Sequence, residues 1–357
     1  MICVVAEAGR RRRPVRSSGG RSVRAERCGR PADHVRMCGM RSFRFTASAA
    51  EGVVDAKELA DTARRAESIG YSALVLQDHL LPQHAPIPLL ATIAAVTERI
   101  RIGTYVLNAD LRHPAVFAQD LASLDLLSGG RLEIGLGAGW NRPEYDAIGL
   151  PFQPVGARVR RLREVIAVLK GCFGDGPFSF AGEHFTINEH DGHPKPAQRP
   201  HPPLFVGGGG RRLLTLAAEQ ADIVGLGPRL LPTVQGKPEL DPRSITADAT
   251  AEKIGWIREA AGDRFDQLEI NTYSVGGSVT VTDNARAEAD RRADQLRRLT
   301  GVEMSADEIL DSPNMFIGSI DGLTQKFIEL RERFGISSIM VGSVDALAPV
   351  VERLAGR

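Results

Sequence analysis

From Phe43 onward the apolar positions follow two alternating periods. Lys57 to Ile69 places Leu59, Ala60, Ala63, Ala66 and Ile69 on one helical face and stops at Gly70. Short apolar runs with strand character appear at Phe43 to Thr46, Ala73 to Leu76, Ile100 to Leu107 and Arg131 to Leu136, and again at Leu204 to Val206, Ile223 to Leu226, Leu268 to Val275 and Ser337 to Val341. Helical spacing fills the intervals, at Pro88 to Val96, Pro114 to Leu127, Val155 to Phe173, Arg211 to Gln220, Ala249 to Ala261, Asp283 to Leu299, Leu323 to Phe334 and Leu347 to Leu354. Eight strands alternating with helices, and no long all-β stretch, predict an α/β chain folded as a (β/α)8 TIM barrel rather than an open doubly wound sheet. Two stretches break the rhythm. Phe178, Phe180, Phe185 and Ile187 around Ala181-Gly182-Glu183 predict a hairpin inserted over about 175–202, and a proline-rich insertion follows over about 227–247.

Residues 1–42 lack this patterning. They carry eleven arginines against Glu7, Glu26 and Asp33, a balance of +8 that leaves the body near −7, since the whole chain sums to +1. A disordered basic extension is expected there, with the barrel domain over 43–355. The arginines are not followed by the apolar region of a twin-arginine export signal, and the amphipathic pattern of a transit peptide is poor. The mildly acidic body argues against a nucleic-acid surface, and no run reaches the ~20 apolar residues of a membrane helix. Cys3, Cys28, Cys38 and Cys172 have neither zinc-ligand nor disulfide-framework spacing. A cytoplasmic protein without a metal is expected.

In such a barrel, ligands lie at the C-terminal strand ends. The fifth strand runs into Gly207-Gly208-Gly209-Gly210 and then a helix beginning at Arg211. Glycines permit close backbone approach, and a helix start presents unpaired N–H groups, so the turn reads as a phosphate cradle or as a flexible connection. The second strand ends in Asp78-His79, a polar contact and a proton donor or acceptor, or else a loop-stabilising pair. Asn108 ends the third strand, where it can bond a heteroaromatic edge through both amide groups or simply make a turn. After the fourth strand, Gly135, Gly137 and Gly139 clear space, and Trp140-Asn141 follows, the indole serving as a stacking wall or as a core plug. Arg112 and His113 read as loop residues. Together these positions suit a planar ligand with a phosphate tail, and flavin-type redox chemistry is the natural expectation.

The runs LDLLSGGRLEIGLGAGWNRPEY (Leu124 to Tyr145), LQDHL (Leu76 to Leu80), IRIGTYVLN (Ile100 to Asn108), PPLFVGGGGRRLLTLAAEQADIVGL (ending at Leu226) and GSIDGLTQKFIELRERFGISSIMV (Gly318 to Val341) resemble the bacterial luciferase-like monooxygenase superfamily. More narrowly, they resemble its actinobacterial branch that uses the deazaflavin coenzyme F420. The resemblance covers roughly Phe43 to Leu354. It implies a luciferase-like barrel and ring contacts from Asp78, Asn108, Trp140 and Asn141, with Gly137 beside them. It further implies phosphate contacts from Gly208 to Gly210 and a cis non-proline peptide at Tyr105-Val106 behind the ring. His79 matches an acid/base position of some members. The implied activity is hydride transfer between F420 and a small organic substrate, the alternative being an FMN-dependent monooxygenase that uses reduced flavin and O2. A homodimer through helices on one side of the barrel is also implied, although no exposed apolar stripe marks it. One departure is informative. The sugar-phosphate dehydrogenases of the superfamily carry an acid where this chain has Ala138, and no tryptophan closely follows His79, so sugar-6-phosphate oxidation is not expected.

Overall fold

The computed structural model describes residues 40–50, 52–231, 239–275 and 279–357. The chain divides into two units, Met1–Gly39 and Met40–Arg357. The expected basic extension therefore lies, up to residue 39, outside the described residues.

The second unit is built on eight parallel strands: β1 (Arg44–Ser48), β2 (Ala73–Leu76), β3 (Arg101–Thr104), β4 (Leu132–Gly137), β5 (Leu204–Gly208), β6 (Ile223–Leu226), β7 (Glu269–Tyr273) and β8 (Ile336–Met340). Each pairs in parallel with the next, β3 pairs with β4, and β8 pairs with β1, which closes the barrel. The main helices are α1 (Ala56–Ile69), α2 (Pro86–Val96), α3 (Pro114–Leu127), the short α4 (Arg142–Ala147), α5 (Val155–Phe173), α6 (Arg211–Gln220), α7 (Ala247–Ala261), α8 (Ala285–Thr300), α9 (Ala306–Asp311), α10 (Ile320–Phe334) and α11 (Ala348–Leu354). Local signals set their ends. The Asp55 carboxylate accepts from Glu58 N to start α1, and Gly70 at φ 101° stops it. Ser319 starts α10 in the same way, and Gly335 at φ 68° ends it.

The barrel interior can be assigned from its ion pairs. Arg44 on β1 bonds Glu133 on β4 and Glu269 on β7, and Arg101 on β3 donates to Glu133 at 2.6 Å. Strands that are not neighbours share these contacts, so the side chains meet inside, at the N-terminal end of the barrel. Burial by itself would lower the Arg44 pKa, but the two carboxylates outweigh it and raise it. Counting alternate residues from this plug, Gly135, Gly137, Gly225, Asn271 and Tyr273 point inward, and the register brings Phe205 and Gly207 in with them. Gly207 and Gly225 lie against the Phe205 ring. A Cβ on Gly225 would lie 2.3 Å from the Phe205 ring, and Phe205 packs on Tyr105 with centroids 4.8 Å apart. Tyr105 in turn meets Tyr273 edge-on at 5.9 Å. Three rings stand here where branched aliphatic side chains fill an ordinary barrel layer.

The third strand is shorter than its apolar run. It breaks after Thr104 at a cis Tyr105-Val106 peptide and resumes as Leu107–Asn108 against β4. The cis peptide is where the family resemblance placed it. Its bulge presses on β4, where a Cβ on Gly135 would sit 2.0 Å from Thr104 O and one on Gly137 2.5 Å from Val106 Cγ2. The expectation that these glycines clear space for a ligand is thereby corrected, because the space is taken by β3.

The hairpin appears as Phe178–Ala181 paired with Thr186–His190. Its Phe178 ring covers Gly171 on α5, and the Glu164 carboxylate accepts from three successive N–H groups at its tip. The insertion after β6 contains a two-residue ladder, Leu230–Leu231 with Glu239–Leu240, and residues 232–238 lie outside the described residues. A third insertion, not expected as one from the sequence, separates β7 from α10. It holds α8 and α9 around a parallel pair, Thr280–Val281 with Ile317–Gly318, and forms a small core of its own from Val275, Ala289, Met304, Ile309, Met315 and Ile317, joined by Ile245. The helical spacing over Asp283 to Leu299 corresponds to α8, half of whose residues are charged and which buries little, but α9 and the strand pair were not expected.

Gly135→Ala should lower stability by about 1–3 kcal/mol or more, as forced overpacking does. Gly255→Ala, in α7 with open space around it, should instead raise stability by roughly 0.5–1 kcal/mol. Urea unfolding of both variants measures the contrast, and equal effects would show that the β3–β4 contact is not tight.

Candidate active site

The residues singled out in the sequence gather at the C-terminal ends of β2 to β5. Asp78 leaves β2 buried, and its carboxylate accepts from Arg112 Nη1 at 2.6 Å, Arg112 Nη2 at 3.2 Å and the Asn108 backbone N–H at 3.1 Å. Both oxygens are thus engaged in locking β2 to the broken end of β3. Arg112, read as a loop residue, is instead the partner that makes a buried Asp78 tolerable.

Asn108 is buried beside it. Its Oδ1 accepts from Asp110 N at 3.1 Å and lies 3.0 Å from the Tyr145 hydroxyl, which is also 3.0 Å from Asp110 Oδ2. Only the Nδ2 end lacks a partner among the described residues, so Asn108 offers one amide group outward rather than two. Burial first, and the Asp110 charge second, push the Tyr145 phenol pKa up, which keeps it a neutral donor. Gly139, at φ +71°, is required here because a Cβ would fall 1.8 Å from the Tyr145 hydroxyl.

His79 carries the clearest chemistry. Its Nδ1 lies 3.0 and 3.1 Å from the two oxygens of Glu144, a buried carboxylate in the first turn of α4. Glu144 also accepts from Asn141 Nδ2 at 2.6 Å. A carboxylate at Nδ1 fixes the tautomer with the proton on that nitrogen and leaves Nε2 for an incoming group. Glu144 went unnoticed in the sequence, although the spacing Asn141-Arg142-Pro143-Glu144 puts an acid one helical turn after the asparagine. Trp140 is half exposed and stands edge-on to His79, centroids 5.5 Å apart, so it does not plug the core.

Around the ring of strands, β5 ends in the glycine turn. Gly210 has open space around it, whereas a Cβ on Gly209 would strike Pro228 O and one on Gly208 the Leu213 side chain. Gly207 packs over the Phe205 ring and Gly225 O. Among the described residues, no acceptor is recorded for the N–H groups of Gly209 and Gly210, and the first turn of α6 adds its own unpaired N–H groups without a side-chain cap. This is the arrangement a phosphate needs. Arg211 turns away to Glu259 at 2.7 Å, while the Arg212 guanidinium rests beside Gly156 at the start of α5. Beneath the neighbouring loop, the buried Lys253 donates to Gly227 O at 2.7 Å and Ser244 O at 2.6 Å. Desolvation, with Arg229 adding to it, lowers its pKa to about 8. Among the described residues no group of three or more His, Cys, Asp or Glu could hold a metal ion, and no helix is long and apolar enough to cross a membrane.

The luciferase-like monooxygenase family model matches residues 37–239. The chain belongs to this family. It is similar to the FMNH(2)-dependent dimethylsulfone monooxygenase of Pseudomonas putida, 35% identical over 140 residues that span 39% of this chain and 38% of that one. It is also similar to the F420-dependent glucose-6-phosphate dehydrogenase of Nakamurella multipartita, 32% identical over 258 residues, 70% of this chain and 71% of that one. In fold it matches the coenzyme F420 dependent tetrahydromethanopterin reductase of Methanopyrus kandleri at a TM-score of 0.67 and 21% identity, covering 88% of this chain and 99% of the other. Relatives of both cofactor types are thus found for this chain, which spans 38% of the first and 71% of the second.

In the wild-type protein, at a pH where the ring is neutral, 15N NMR should show His79 protonated on Nδ1, and Glu144→Ala should shift it toward the Nε2–H form. An unchanged tautomer would disprove the bridge. Lys253 titrates at about 8 in the folded chain and near 10.5 unfolded, so it costs stability below pH 8 and the cost fades as pH rises toward 10.5. Relative to Lys253→Met, the wild-type protein should gain on the order of 1–3 kcal/mol between pH 7.5 and 10 in parallel urea titrations.

Proposed function

We propose that this luciferase-like oxidoreductase moves hydride between coenzyme F420 and a small organic substrate. The observation that carries the reading is the pairing, at one barrel mouth, of an anion-receptive glycine turn with a carboxylate-oriented imidazole. The catalytic domain is taken as residues 43–355. Backbone N–H groups at Gly209 and Gly210 and the start of α6 would hold the cofactor phosphate, Tyr105-Val106 would back its ring, and Asn108 Nδ2 and Trp140 would border it. When bound, the deazaflavin supplies or accepts the hydride. His79 Nε2 gives or takes the accompanying proton, and Glu144 stabilises the charged imidazole through Nδ1. Support for F420 comes from the relative matched over about 70% of both chains, whose name carries that dependence.

A second reading, an FMN-dependent monooxygenase, is favoured by the 35% identity to the Pseudomonas enzyme, over a shorter stretch. The site residues serve it equally well as far as binding goes, because both cofactors share a planar ring and a phosphate.

Titration of the full chain with oxidised F420 and, separately, with FMN, followed by tryptophan fluorescence, should show the tighter saturation with F420. Preference for FMN would overturn the hydride-transfer reading, and binding of neither would remove the glycine turn as a phosphate site. With F420 bound and a substrate in hand, His79→Ala should lower turnover by about 10²–10⁴-fold while leaving F420 affinity nearly unchanged.

A further inference from the structure

We infer that the substrate side of the mouth takes a neutral, apolar organic molecule and excludes phosphorylated sugars; this rests on the mouth being the active site. The first argument is charge. Among the described residues, three arginines of the segments that follow β3 and β4 are already committed. Arg112 is bidentate on Asp78, Arg161 holds Asp110 at 3.0 Å, and Arg158 donates to the carbonyls of Gln153, Ala138 and Gly139 with its guanidinium 4.1 Å over the Phe152 ring. Removing any of these guanidinia to bind an anionic substrate would strand a buried carboxylate or several carbonyls, a cost of the kind that makes broken buried pairs expensive. Arg212, which has no recorded ion pair among the described residues, leaves the glycine turn at the start of α6 and has its guanidinium beside Gly156 at the start of α5.

The second argument is the rim. Val53 is 68% exposed, Leu80 52%, Leu81 53% and Trp140 47%. They lie on the loops after β1, β2 and β4, and the first two loops are tied together, since His84 Nε2 sits 3.1 Å from Val54 N and 2.8 Å from Val54 O. Leu80 follows His79 directly in the chain, and the Trp140 indole touches the His79 ring. Large apolar side chains left in water on adjoining loops, next to the one oriented acid/base, mark a surface that gains by covering. The third argument is the floor, where the rings of Tyr105, Phe205 and Tyr273 pack under the mouth and the Tyr105 hydroxyl is spent on Asn271 Oδ1 at 2.8 Å. Burial first, and Tyr273 second, hold that phenol in its neutral form. Apolar rim, aromatic floor and committed cations all select against a dianion.

The test uses the full chain saturated with whichever of F420 or FMN it binds, so that failure of the cofactor reading is seen separately, before any substrate is added. Isothermal titration with 2-undecanone, a neutral aliphatic ketone, should give saturable binding, and glucose 6-phosphate should give none. The double variant Leu80→Ser, Leu81→Ser, altered only at half-exposed positions, should weaken 2-undecanone by about tenfold and leave cofactor affinity within about twofold. Saturable binding of glucose 6-phosphate to the loaded protein, no binding of the ketone, or ketone binding indifferent to the two leucines would each overturn the inference.

Discussion

The tight passage between β3 and β4 is the constraint on which the mouth depends. Thr104 O and the Val106 side chain come so close to β4 that Gly135 and Gly137 admit no Cβ. From that contact the rest follows in order. Because β3 breaks there, Asn108 emerges with its backbone N–H aimed at Asp78, and Arg112 can close on the same carboxylate. Because the chain beyond β4 must turn at once, Gly139 takes a positive φ and α4 starts within three residues, which brings Glu144 to His79 and Tyr145 to Asn108. A methyl group at either glycine would have to move one strand off the other, and Asn108, Arg112, Trp140, Asn141, Glu144 and Tyr145 all stand on those two strands or on the segments that follow them.

Polarity is distributed along the barrel axis with the same economy. At the N-terminal end, Arg44, Arg101, Glu133 and Glu269 neutralise one another inside the barrel. In the middle, Asn271 accepts from Tyr105 and donates to Ser338 Oγ at 3.0 Å, so the aromatic layer is bonded as well as packed. At the C-terminal end the pairing stops being complete. There the Gly209 and Gly210 N–H groups, Asn108 Nδ2 and His79 Nε2 have no recorded partner among the described residues. Neither Asn108 Nδ2 nor His79 Nε2 is among the buried side-chain atoms left without a partner, so both reach solvent, where an incoming group can meet them.

Much of this was legible in the chain. The alternation of short apolar runs with helical spacing located all eight strands, and α3, α5 and α6 fall on their expected bounds, because proline starts and glycine turns are local signals that tertiary packing did not need to override. The Asp78-His79 pair, Asn108, Trp140 and the glycine run were visible because residues at strand ends in a barrel share one face. The core of the insertion between β7 and α10 was not, since it is assembled from residues far apart, such as Ile245 and Met315, although the spacing of its longest helix was.

By itself, then, the sequence determined the kind of fold, the strand order and which residues stand at the mouth, since these depend on hydrophobic period and on turn chemistry within a few residues. Only the tertiary structure decided what those residues are free to do. Asp78 looked like an open carboxylate until Arg112, thirty-four positions later, was seen to occupy it. The glycines of β4 looked like room for a ligand until β3 was seen to fill it. His79 gained its orientation from Glu144, sixty-five positions away. Each is a pairing across strands, where the energy of burying a charge or closing a gap depends on which atoms the fold brings within reach, and linear spacing carries no record of that distance.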